Sequence, residues 1–421
     1  MKHIPEYYQL IEQNERFVNN FTIKVCLKEK VNEKILCEAA QKAIVRFPYF
    51  AVMVTANEQG DYDIRHNDLP IAVIKRNSEK LILGSSCTNG HLLAIEYDDY
   101  NFYFSINHAL AGGSGLMNYI KAVVFIYFSE LKHEKYDDTE FMLPGKEMLP
   151  GERDYPTLEA LAERDGLPSR KIEPGFFPRA DHILAHQHPE KAYNGYYQIK
   201  LRQEDVMHYV RSSDGSPCAS VSVLMFKALE KIIPESEGDF NAHIAHNYQS
   251  AVGCPNTTQD LVRKVVVHYD RSWIDKTDEM LGTITRGQII AETLPERAVA
   301  DARVVLSNNE AVDSFETLKE KKEFLASHNR HQSGINCSYI ISYAGNIRWG
   351  DLEKYVDAVY TITMGHLMLE INAIGDRICI SFQISVQKDE YIQGFLKELD
   401  HAGISYEVSG PFEKNLPGLQ I

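Results

Sequence analysis

The chemistry in this sequence is concentrated in one heptapeptide, Asn107-His108-Ala109-Leu110-Ala111-Gly112-Gly113. A neutral imidazole with a pKa near 6.5 can take a proton from an alcohol or amine around neutrality, so His108 suits the role of general base. Gly112, Gly113 and Ser114 offer backbone amides at the start of the next helical segment, where unpaired N–H groups and aligned peptide dipoles favour negative charge. Such donors stabilise the oxyanion of a tetrahedral intermediate. Glycine also lets a ligand approach the backbone closely and adopts positive φ at little cost. A base beside oxyanion donors is the minimum equipment for acyl transfer. Two adjacent glycines also make the loop floppy, so it must be held by packing or by Asn107 and Ser114.

The flanking pattern gives that loop a place. His91 to Tyr97 and Asn101 to Ile106 alternate as strands around the polar turn at Asp98-Asp99, and the second strand runs directly into His108. Beyond the glycines, Leu116, Tyr119, Ile120, Val123, Val124, Tyr127 and Phe128 recur at helical spacing. His108 is therefore expected at a strand-to-helix junction. Upstream, Phe21 to Leu27 reads as a strand, Asn32 as the cap of a helix that stops at Pro48, and Phe50 to Val54 with Tyr62 to Arg65 as a hairpin. Prolines, glycines and charges thicken between about 134 and 192, which marks a connector. Past it come a strand at Tyr196 to Leu201, a helix at Ala219 to Ile233, a strand at Leu261 to His268 and a helical stretch at Asp275 to Thr293. Strands at Ser338 to Ser342, Leu367 to Ala373 and Arg377 to Val386, then a helix at Glu390 to Leu399, complete a second α/β unit.

Composition narrows the function. The 421 residues exceed what one core usually organises, so two domains are expected, 1–185 and 186–421. Lys and Arg total 44 against 59 Asp and Glu, a formal charge of −15, and no basic patch offsets it, which argues against nucleic-acid binding. The seven scattered cysteines never form Cys-x-x-Cys and read as reduced thiols; Cys87 and Cys337 are treated as ordinary. Neither a signal-peptide core nor a membrane-length apolar run is visible, so a cytoplasmic protein without an anchor is expected. There is no Ser-His-Asp grouping, no Gly-x-Ser-x-Gly elbow, no phosphate loop and no dinucleotide fingerprint. His182, His186 and His188 have ligand-like spacing but lie in the connector without supporting Cys or carboxylates, so no metal is expected there or at His243 and His246.

The strand ending Phe102 to Asn107, then His108, three residues, Gly-Gly and a long amphipathic helix resemble the superfamily of chloramphenicol acetyltransferases, plant acyltransferases, alcohol acetyltransferases and nonribosomal-peptide condensation domains. The family motif is His-His-x-x-x-Asp-Gly. Asn107 stands at its first His, His108 at the catalytic His, Gly112 at the Asp and Gly113 at the final Gly. In the family that Asp faces away from the reaction and shapes the loop through an ion pair. Ala43 to Phe50, with its Arg46-Phe47-Pro48, is similar to the family's helix end. Ser216 to Ile233 resembles the helix opening the second domain, and Ser342-Tyr343-Ala344-Gly345-Asn346 the late Ser-x-x-Gly segment facing the histidine.

The resemblance implies an α/β fold of two chloramphenicol-acetyltransferase-like domains, each a mixed sheet with packed helices, and an active-site tunnel between them. It implies acyl transfer from a coenzyme A or carrier-protein thioester to an alcohol or amine, with His108 as base and Ser342, Tyr343 and Asn346 as second-domain contributors. The thioester is a co-substrate; no permanently bound cofactor is implied. The acceptor is a small molecule, a carrier protein would be a separate chain, and a monomer suffices because both halves form one cleft. Gly112 leaves two competitors open: a catalytically inactive acyl- or peptidyl-binding or scaffold member, and a condensation-like amide-forming enzyme.

Overall fold

A computed structural model describes residues 8–13, 18–57, 60–167, 194–233, 238–327, 337–365, 367–385 and 389–421. The His182, His186 and His188 cluster lies outside the described residues.

In the first half, Asn32 accepts from the Ile35 amide at 3.2 Å and caps α1 (Glu33–Ile44), which buries Leu36, Ala39, Ala40 and Ala43 at helical spacing. Strands β1 (Asn20–Leu27), β2 (Val73–Lys75), β3 (Leu93–Tyr97) and β4 (Asn101–Asn107) form most of one sheet. Helix α2 (Gly113–Lys132) follows β4 and covers the sheet with α1. The β1–β4 register pairs Phe21 with Ile106, Ile23 with Phe104 and Val25 with Phe102, so one face is apolar and buried against the helices. The alternate positions are polar: the hydroxyls of Thr22 and Ser105 hydrogen-bond at 2.8 Å on the other face. Val52–Ala56 and Tyr62–His66 pair as the expected hairpin.

The second half supplies β5 (Gly195–Arg202), α3 (Pro217–Ile232), β6 (Phe240–Asn247), β7 (Val262–Tyr269), α4 (Asp278–Glu292), β8 (Tyr339–Asn346), β9 (Val356–Ile362), β10 (Leu367–Ile374), β11 (Arg377–Ile384), α5 (Asp389–His401) and β12 (Tyr406–Glu413). Seven strands run β7-β6-β8-β10-β11-β5-β12 across the sheet, with β8 parallel to both neighbours. Tyr339, Ile341, Leu369, Ile371, Ile380, Phe382 and Ile199 share a core with α3 and α5. The opposite face carries Ser342, Glu370, Ser381 and Gln198 side by side in register. Two polar-faced sheets are thus brought together by the chain.

What joins them is β9. It comes from the second half but pairs antiparallel with β1, giving the first sheet the order β9-β1-β4-β3-β2. Thr361 on β9 accepts from the Asn372 side chain of β10 at 3.2 Å, tying the two sheets together. The C-terminal tail repeats the crossing: Gly418 and Leu419 pair with Ile82 and Leu83, and Asn20 donates to the carbonyls of Pro417 and Gly418 at 3.0 Å each. Among the described residues no helix is long and apolar enough to cross a membrane.

Candidate active site

His108 follows β4 immediately and lies one turn of loop before α2, the junction expected from the sequence. Its backbone N–H donates to the Asn19 carbonyl at 2.8 Å, and its ring lies 4.8 Å from that of Phe21. Asn107 before it is wholly buried and holds the turn. Its amide donates to Asn20 Oδ1 at 2.7 Å and to Gln13 Oε1 at 3.0 Å, while its own Oδ1 accepts from the Ala109 N–H at 3.1 Å. Ser114 is exposed on the first turn of α2. Of the two polar residues that could have secured the loop, Asn107 does so.

The glycines act by space rather than by unusual backbone. Gly112 is the N-cap of α2 at φ −76°, ordinary extended backbone open to any residue, so the expected positive φ is absent. A side chain there would meet the second lobe instead: a Cβ at Gly112 would lie 3.1 Å from Asp260 Oδ1 and 3.4 Å from Asp260 Cα. At Gly115 a Cβ would sit 2.2 Å from the Thr258 carbonyl oxygen. Around Gly113 there is open space, nothing falling within 4 Å of a Cβ built there. Gly113, at the start of α2, thus borders an opening.

Asp260 and Thr258 belong to the 248–261 connection between β6 and β7. It folds back on itself, the Gln249 side chain donating to the Thr257 carbonyl at 2.8 Å and to the Gln259 carbonyl at 3.3 Å. Thr258 N–H donates to the Glu152 carbonyl at 2.9 Å. Glu152 is itself fixed by a buried bidentate pair with Arg46, 2.7 Å to each oxygen, and by the Tyr49 hydroxyl at 2.7 Å. Arg46 and Tyr49, in the segment noted for its Arg-Phe-Pro, therefore help hold a second-lobe loop against the start of α2.

Asp260 Oδ2 lies 3.1 Å from His108 Nδ1. The contact is not aligned as a hydrogen bond and is an ion pair only when the imidazole is protonated; Nδ1 and Asp260 Oδ1 are both buried atoms without a hydrogen-bond partner among the described residues. About a quarter of the His108 side chain remains exposed. Burial lowers the His108 pKa, but the Asp260 carboxylate, together with the smaller effects of the residue's own backbone and of Glu370, outweighs it, so the net displacement is upward.

Glu370, in the middle of β10, faces the histidine from the other lobe. Burial pushes its carboxyl up to about 7, against smaller opposing effects of Ser342, His108 and Thr363. Ser342 reaches this group through register, opposite Glu370 on β8. Tyr343 alternates to the other face and packs on the second core, and Asn346 is exposed at the strand end. The structure thus brings Asn107, His108, Gly112, Gly113 and Ser342 to one place and adds Asp260 and Glu370, which sequence reading missed. A carboxylate in an otherwise apolar alternating strand was the available signal for Glu370. Asp260 has no local signal at all.

No protein-family model matches the chain, and no curated protein matches it in sequence. Solved structures match its fold over nearly the whole chain. A trichothecene 15-O-acetyltransferase from Fusarium sporotrichioides aligns with TM-score 0.59 and 10% identity, over 94% of this chain and 93% of that one. The first condensation domain of the CDA synthetase aligns with TM-score 0.58 and 8% identity, over 94% and 92%. TRI101 of F. graminearum, complexed with coenzyme A and T-2 mycotoxin, gives 0.57 and 10%, over 94% and 98%. The chain has the two-lobed α/β fold of the chloramphenicol-acetyltransferase-like proteins.

Proposed function

We propose that the protein is an acyltransferase that moves an acyl group from a coenzyme A or carrier-protein thioester to an alcohol or amine held between its lobes, with His108 as general base. The observation that carries this reading is His108 itself, partly exposed at the junction of the lobes with Nδ1 beside a carboxylate; the mechanism assigns its other nitrogen, Nε2, to the substrate. The acceptor's proton passes to Nε2 as its oxygen or nitrogen bonds to the thioester carbonyl carbon. The carbonyl oxygen takes the charge, facing the amides at the start of α2. When the C–S bond breaks, the proton on Nε2 goes to the departing sulfur, and the thiol leaves. No covalent enzyme intermediate is required.

An amine acceptor makes the same sequence a condensation, and the fold is compatible with both. Gly112 motivates the competing reading of a noncatalytic member; a carboxylate beside His108 supports retained proton transfer instead. The test is a panel of acyl-coenzyme A and acyl-carrier thioesters with alcohol and amine acceptors, read by free thiol release and product mass. Turnover that falls about a hundredfold or more in His108→Ala is expected. Equal turnover by the two proteins would remove the histidine mechanism, and ligand binding without product under every donor would favour the noncatalytic reading.

A further inference from the structure

We infer that Asp260, delivered from the second lobe, is the positioning residue for His108, and that position 112 is glycine because Asp260 occupies the space a side chain would need. The inference deepens the reading of His108 as a proton-transfer base and rests on it for its catalytic meaning, though not for its geometry.

Three independent observations converge. The carboxylate is in contact with the imidazole, Oδ2 to Nδ1 at 3.1 Å. The space is reserved on the opposite side, where even a methyl at Gly112 would come to 3.1 Å from Oδ1 and 3.4 Å from the Asp260 backbone. The connection bearing Asp260 is seated on the same helix start at a second point, because only a residue without Cβ at 115 leaves room for the Thr258 carbonyl. That seat is anchored outside the loop: Thr257 Oγ1 donates to the Asp154 carbonyl at 2.6 Å, and the Asn256 amide to the Pro150 carbonyl at 2.9 Å.

A carboxylate at Nδ1 does two things for a histidine base. Its negative charge favours the tautomer with the proton on Nδ1, which leaves the lone pair on Nε2 for proton transfer, and it stabilises the imidazolium then formed. Among the described residues the acidic groups facing His108 are Asp260 from the β6–β7 connection and Glu370 from β10. Of the two, Asp260 is the carboxylate in contact with the ring, at 3.1 Å, and burial disfavours the charged form of Glu370, so Asp260 is the group that polarises the ring. Because His108 comes from one lobe and Asp260 from the other, the base is complete only when the lobes are docked.

The test is a titration of His108 by NMR in histidine-labelled protein, assigned against His108→Ala and run on wild type, Asp260→Asn and Gly112→Asp. It needs no substrate. Asp260→Asn is isosteric and should lower the His108 pKa; the acidic limb of any pH–rate profile should move to lower pH while kcat falls at least about tenfold. Gly112→Asp restores the family's residue, yet it should impair the site, because its side chain displaces Asp260 and sets two carboxylates together. Circular dichroism and melting confirm that each variant is folded. An unchanged His108 titration in folded Asp260→Asn overturns the inference, as does a Gly112→Asp protein whose titration and turnover match wild type. If no thioester is turned over but the titration moves as expected, the pairing stands and the acyltransferase reading fails.

Discussion

Two alanines on one turn of helix separate space from conformation. Gly113 and Gly115 both lie in the first turn of α2, and in an open helix each Gly→Ala change should stabilise by about 0.5–1 kcal/mol through lost chain entropy. At Gly113 nothing opposes the gain, since a Cβ there meets nothing within 4 Å. At Gly115 the Cβ would stand 2.2 Å from the Thr258 carbonyl oxygen, 3.0 Å from its carbon and 3.1 Å from its Cα, all backbone atoms. Ordinary contact needs the connection to retreat by more than about 1 Å, and overpacking of that kind costs about 1–3 kcal/mol. The penalty exceeds the propensity gain, so Gly115→Ala should melt below wild type and Gly113→Ala at or above it. The retreat also draws Asp260 from His108, so the His108 titration should fall in Gly115→Ala and stay in place in Gly113→Ala. Differential scanning calorimetry with the NMR titration reads both. If Gly115→Ala melts as high as Gly113→Ala with an unaltered His108 titration, the connection is not seated on α2 as described.

Two further perturbations test the groups around the pair. Arg46, Tyr49 and the Leu149 amide outweigh burial and hold the Glu152 carboxyl below its ordinary value, so its stabilisation is complete above the unfolded value of about 4.3 and is lost as pH falls through the folded value. Glu152→Gln should cost about 3–5 kcal/mol at pH 7, because it strands the buried Arg46 charge, and chemical denaturation at pH 7 and pH 4 should show the deficit shrinking on the acid side. Glu370 has the opposite sign: burial raises it to about 7, so stability present below about 4.3 is lost as pH rises through 7. Glu370→Gln should therefore melt higher than wild type at pH 8 and show little difference at pH 4; a lower melting point at pH 8 would refute the raised value.

Much of the fold was legible because alternation and helical spacing are local properties. Phe21 to Leu27 and Asn101 to Ile106 appear as strands within a residue of expectation, the expected strand from Arg377 is found as Arg377–Ile384, and the stripe from Leu116 to Phe128 lies on α2. What was missed depends on distant partners. Val356–Ile362 is buried on nearly every position because it lies between two sheets, and nothing local announces that it pairs with β1. Tyr406–Glu413 is an exposed edge strand whose alternation of Tyr406, Val408 and Phe412 is interrupted by Gly410-Pro411, a pair that reads locally as a turn. The site divides in the same way. His108 and Asn107 are held by their own strand and its neighbour, whereas Asp260 follows Asn256-Thr257-Thr258-Gln259 in a segment of turn residues, and its meaning exists only beside Gly112.

The glycine at 112 shows how a residue's identity can be read correctly and its reason wrongly. Glycine is enriched where φ is positive or where another group must come close, and a sequence does not distinguish the two. At Gly112 the backbone is at −76°, so conformational freedom explains nothing, and the near approach of Asp260 explains the missing side chain. Asp260 is moreover not the motif carboxylate moved elsewhere. The resemblance implied an Asp that faces away from the histidine and shapes its loop; here the loop is held by Asn107, through Asn20, Gln13 and the Ala109 amide. Asp260 faces the ring. Loop holding and charge placement, which one motif position invites a reader to merge, are separate physical jobs, and in this chain they are done by different residues from different lobes.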